Sequence, residues 1–366
     1  MRVLQSPKRS VTLLAAACVA LSACGDAGPD VPFNPAATTE DIQAVNATFE
    51  SPVFSSFSAF SEQFGAVLGP APLVTSSAGA FNFRRATRSG ELRAAAARNA
   101  QHVAALTRSV ANGSFSASAS AIPTEVAGKT FEYSGTTYVP TERTGAPDNG
   151  VRFLIYAVNP VTFVPVEPLQ EVGYVELTDL SGSSTQAARV VVVSGETTYL
   201  DYTATAAGTV SAGAVTVTGY VSDGVTRANL NLRSTINEAE GMTLLYTVDV
   251  PQRDFSLDLT MTMSELDPQN STIDIDLGMS GPNGTLSMSG QFSNAGGAVT
   301  VRVNGNVFAT ITSGEAGEPA ITGADGQPLS EEDVAALSRI FEMTDEAFIS
   351  FDEMVAPVNS FLEPAA

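Results

Sequence analysis

Two thiols, one imidazole and 39 carboxylates are the groups from which this 366-residue chain could build chemistry. Both thiols, Cys18 and Cys24, fall inside "LLAAACVALSACGD" at residues 13–26. The imidazole, His102, sits in an Ala-rich stretch far from any other nucleophile signal. A Ser-His-Asp relay would have to use it, and no Gly-x-Ser-x-Gly elbow exists to present a serine. Asp274 and Asp276 stand two apart in "TIDIDLGM". On a strand they share a face, where they could hold a hard cation or act as an acid–base pair, or simply be solvated. "GADGQPLSEED" offers Asp325-Gly326 and Glu332 in the places of an EF-hand loop. Its first ligand positions would be Ile321 and Gly323, which carry no side-chain oxygen, so the loop fails as a calcium site. It reads instead as a Gly-rich turn before a helix. The chain has no Trp, a residue sugar clefts commonly use. No cofactor, no metal and no enzymatic activity are expected.

The segment around the thiols has a different logic. Arg2, Lys8 and Arg9 precede an unbroken apolar or small run, Val11 to Leu21, and Leu21-Ser22-Ala23-Cys24 follows. These are the parts of a secretory signal. The run is too short for a bilayer of roughly 30 Å. "LSAC" resembles the lipobox of bacterial lipoproteins, a likeness confined to residues 1–24. It implies that Cys24 is diacylated through its thiol, becomes the N-terminus and is N-acylated, while Cys18 leaves with residues 1–23. An ordinary secretory peptide cut near Ala23, leaving Cys24 free, is the plainer reading. Gly25, rather than an acid, follows Cys24, and the resemblance then implies the outer rather than the inner membrane. Two or more acyl chains anchor firmly where one binds marginally. The expected partner is therefore a membrane, held through the N-terminal lipid.

Loss of residues 1–23, with three basic side chains and no acid, takes the formal charge from −21 to −24. Such a chain is a poor nucleic-acid binder, because phosphate neutralisation dominates that affinity. With one cysteine it forms no internal disulfide, and sites built on several thiolates are excluded. Charge is uneven: Arg84, Arg85, Arg88, Arg93, Arg98 and Arg108 stand against Glu91 alone. They suit anionic head groups, or the protein's own acidic surface.

The elements that must position these groups follow from periodicity. Residues 24–37 are small, acidic and Pro-rich, a flexible tether. Residues 38–128 form a helical region and linker. Ile42, Val45, Phe49, Phe54, Phe57, Phe60, Phe64 and Leu68 predict one helix, or two joined at Ser51-Pro52, with another from about Ser89 to Val110. Residues 129–313 switch to a period of two, as in "FSLDLTMTM", with turn signals at Ser134-Gly135, Asp223-Gly224, Asn283-Gly284 and Asn304-Gly305. Roughly 12 to 14 strands are expected, many about ten residues long. Residues 314–366 return to helix, opened by a capping signature at Ser330-Glu331-Glu332-Asp333 and resumed from Thr344. The expectation is an α+β, mainly β fold: a long antiparallel meander forming a strongly curved sheet or half-barrel packed on the N- and C-terminal helices.

Met261, Met263, Met279 and Met288 are expected on the dry face of that sheet. Methionine adapts to varied apolar partners, so the four mark a candidate site for a lipid or other apolar ligand. In architecture only, this resembles the lipoprotein-localisation carriers and related half-barrel lipid-binding lipoproteins, with no signature residue to match. The leading expectation is a lipid-anchored envelope protein that binds an apolar ligand or an envelope partner in its sheet. The alternatives are a structural or adhesive lipoprotein whose core is filled, and a hydrolase using carboxylates such as Asp274 and Asp276.

Overall fold

A computed structural model describes residues 35–64, 122–159, 162, 164–208, 212–237, 239–265, 271–293, 295–314, 320–331, 333–337, 339–340 and 354–355. Helices α1 (Pro35–Phe49) and α2 (Pro52–Phe64) come first, then β1 (Lys129–Tyr133), β2 (Tyr138–Thr141), β3 (Gly150–Tyr156) and β4 (Glu171–Asp179). The middle of the chain forms β5 (Thr185–Ser194), β6 (Thr197–Gly208), β7 (Ala212–Ser222), β8 (Arg227–Asn237), β9 (Gly241–Val250) and β10 (Phe255–Met263). It continues through β11 (Ile273–Gly281), β12 (Gly284–Ser293), β13 (Gly296–Val303), β14 (Asn306–Gly314) and β15 (Ala320–Gly323). All fifteen strands belong to one sheet, ordered β15 back to β3, then β1, then β2. Neighbours are antiparallel except β1 and β3, which pair in parallel, Phe131 beside Phe153. The edge strands β15 and β2 do not pair with each other, so the sheet is open.

Hairpin chemistry fixes the register. Asn304 and Gly305 both take positive φ, 50° and 80°, the requirement of the two-residue turn whose twist matches that of the strands. Between β9 and β10 the turn is a single 3-10 turn, Pro251–Arg253, closed by Asp254 in the left-handed region. Alternation then sorts the side chains. Phe255, Leu257, Leu259, Met261 and Met263 are each no more than 7 % exposed, while Asp258 and Thr260 between them are solvated. Burying each large apolar side chain contributes about 2 kcal/mol, and a one-residue slip would lose it for the whole strand.

At the helix junction, Pro52 occupies the first turn, where its missing N–H costs nothing. Ser51 Oγ accepts the Phe54 amide at 3.1 Å as the cap. Phe49 and Phe54 meet edge to face across the join, centroids 5.3 Å apart. Ile42, Val45, Phe57 and Phe60 belong to the same buried cluster as the dry side chains of the sheet. Phe60 meets Phe153 of β3 at 5.0 Å.

Several expectations need adjusting. The strands number fifteen among the described residues rather than 12 to 14, and the sheet runs to Gly323 rather than 313. The added strand, β15, has four residues, too few to show a period. Helix α1 starts at Pro35, three residues before Thr38, because proline is pre-shaped for a first helical position. The parallel β1–β3 pair breaks the expected all-antiparallel meander. The capped helix after residue 330 forms as read: Ser330 Oγ accepts the Asp333 amide at 3.1 Å. Gly326, at φ 76°, and the 2.7 Å bond from the Gly323 amide to the Gln327 carbonyl make "GADGQ" a turn. Cys18, Cys24, His102, the Arg84–Arg108 cluster, the Ser89–Val110 helix and most of the segment after Thr344 lie outside the described residues.

Candidate functional site

The four methionines come to one face of the sheet, with unequal cover. Met261 and Met263 on β10 and Met279 on β11 are 4 %, 1 % and 3 % exposed. Met263 stands directly opposite Met242 of β9, which is equally buried and joins the inward set although the expected site omitted it. Met288 on β12 is only half-buried, as is Phe292 on the same strand, and both flank the main cluster. The signal that would have separated Met288 is its strand's composition. Gly284, Gly290 and the small polar residues of β12 leave little to pack beside it.

On the opposite face the charged groups satisfy one another. Arg189 on β5 forks onto Asp201 of β6 through two bonds of 2.8 and 2.7 Å. Asp201, Tyr220, Asn229 and Asp249 then sit side by side on β6 to β9. The Arg227 guanidinium lies 3.7 Å over the Tyr220 ring and donates to Asn229 Oδ1 at 2.7 Å. Asn229 in turn donates to Asp249 at 3.2 Å. Near the β2 edge, Arg143 pairs with Glu171 at 2.9 Å, and Arg152 pairs with Glu176. The exposed pairs among these contribute about 0–1 kcal/mol each. They order a polar surface more than they stabilise it.

Asp274 and Asp276 lie on this wet face, both solvated, and Gln291 Nε2 donates to Asp274 at 2.9 Å. Among the described residues no group of three or more His, Cys, Asp or Glu is placed to hold a metal. Nor is any described helix long and apolar enough to cross a membrane.

Two features lie at the strand ends. A shallow depression of about 420 Å³ opens beside the β6–β7 and β8–β9 connections, lined by Ala207, Gly208, Ala214, Thr235, Asn237 and Glu240 among others. Its lining is mainly small residues with Ile236 and a few polar side chains, and none of the four methionines contributes to it. At the other end, Asp41 of α1 is 8 % exposed and faces Arg253 and Asn283 of the neighbouring turns. Burial raises its carboxyl above the usual range, against the opposing pull of Arg253 and of the bond from Asn283.

Comparison with protein-family models, with curated proteins and with solved structures found no match to this chain.

Proposed function

We propose that this is a lipid-anchored cell-envelope protein, tied through Cys24 to the outer membrane, in which a strongly curved sheet and the terminal helices share one filled core. Its role is structural or adhesive: it presents the ordered polar face and the hairpin ends to envelope partners. The observation that carries this reading is the cover over the dry face. From Ala228 on β8 to Met279 on β11, every inward residue is 8 % exposed or less. That burial supports a core occupied by the protein's own side chains. A sheet of this many strands curls rather than staying flat, which supports the curvature.

A second reading keeps the dry face as a seat for a lipid or other apolar ligand. Met288 and Phe292 favour it, since cover thins at β12. The carboxylate hydrolase has less behind it, since Asp274 and Asp276 are solvated on the wet face and neither lines the depression at the strand ends.

The anchor is tested by Cys24→Ser. The variant is expected in the soluble envelope fraction with an unchanged circular dichroism spectrum, while the parent stays with the membrane and has lost residues 1–23 by intact mass. Equal membrane retention of the two would end the lipid-anchor reading.

A further inference from the structure

The six connections β3–β4, β5–β6, β7–β8, β9–β10, β11–β12 and β13–β14 all emerge at one end of the sheet, because successive strands there reverse direction. The β1–β2 hairpin opens there too, β1 being parallel to β3, and five of the seven large apolar side chains exposed among the described residues belong to that end: Val139, Val164, Val166, Val225 and Val307. Val225 is 86 % exposed at the apex of a rigid turn. Asp223 Oδ1 accepts both the Val225 and Thr226 amides, at 2.8 and 2.7 Å, and Gly224 takes the positive φ. That turn needs Asp and Gly; nothing in it needs valine. Val164 and Val166 are held outward on a small ribbon, in which the Asn159 amide donates to Val164 O at 3.0 Å and the Val166 amide to Ala157 O at 2.8 Å.

The start of α1 lies at the same end. A Cβ on Gly281 would stand 3.0 Å from Asp41 Oδ2, so Asp41 sits at the β11–β12 turn. Pro35 is six helical residues before it, about 9 Å. From Cys24 to Pro35 the chain has eleven residues, which reach at most about 38 Å. The opposite end of the sheet lies a further strand length away, about 30–35 Å. Reaching it would take nearly the whole of that length, so the near end is the one the anchor holds more readily against a membrane.

We infer that this hairpin end docks on the bilayer surface, its valine tips entering the head-group layer and setting the sheet upright on the membrane. The inference rests on the lipid-anchor reading above. Its test uses the mature lipidated protein in phosphatidylethanolamine–phosphatidylglycerol vesicles that contain nitroxide-labelled lipid. Cys24 is thioether-linked when lipidated, so Val225→Cys or Leu180→Cys supplies the one free thiol for an environment-sensitive fluorophore. Leu180 is the control, 47 % exposed just after β4 at the far end. Quenching at position 225 is expected to exceed that at 180 by about threefold or more, as for groups entering the interface. Equal quenching, or more at 180, overturns the docking while leaving the anchor intact. If the protein does not float with the vesicles at all, the anchor reading fails and the docking falls with it.

Discussion

The phenolic oxygen of Tyr202, buried on β6, donates a 2.8 Å hydrogen bond to the backbone carbonyl of Met354, 152 residues further along the chain. Burial holds that phenol well above the usual tyrosine range, so it stays a donor at any physiological pH. Tyr202→Phe strands the Met354 carbonyl in a buried site and is expected to cost about 1–3 kcal/mol. Urea unfolding followed by fluorescence reads the loss. An unchanged midpoint would mean that the tail does not depend on this bond.

Asp41 predicts a pH dependence. Its folded carboxyl titrates above the ordinary 3.8, chiefly because it is buried. The folded state therefore binds more protons than the unfolded state between those two values, and stability falls as pH rises through that window. Asp41→Asn keeps an acceptor for Asn283 and has no charge to bury. It is expected to flatten the slope and to match or exceed the parent at neutral pH by up to about 1 kcal/mol. Thermal unfolding from pH 3 to 7 measures it; a variant that loses stability at neutral pH would show Arg253 outweighing burial.

The methionines should respond unequally. Met263, opposite Met242, leaves a cavity when truncated, and Met263→Ala is expected to cost about 2–5 kcal/mol. Met288→Ala, at a half-buried position, should cost about 1 kcal/mol or less. Urea midpoints of the two variants give the ratio. Equal, small losses would argue against a filled core at β10.

The sheet was legible because burial on one face writes a period of two into the chain. "FSLDLTMTM" is β10 from its first residue to its last, and Asn304-Gly305 announces its turn by the backbone it must adopt. What could not be read is what periodicity does not encode. The parallel seat of β3 beside β1 depends on which strand lies across from which, and β15 is too short to alternate. Likewise, alternation points Met261, Met263, Met279 and Met288 inward without saying what covers them. That depends on what packs beside and above each of them, and the glycines and small polar residues of β12 leave Met288 with less cover than the others. Asp223-Gly224 marks a turn, but only the backbone that Asp223 fixes shows Val225 facing solvent.

The central claim is that the dry face is occupied by the protein's own side chains. Native mass spectrometry of the lipidated protein, released gently from membranes, tests it most directly. The expected mass is that of residues 24–366 plus the covalent acyl groups alone. A stoichiometric lipid or other apolar molecule that survives transfer and exchanges with added ligand would contradict the claim and restore the methionine face as a binding site.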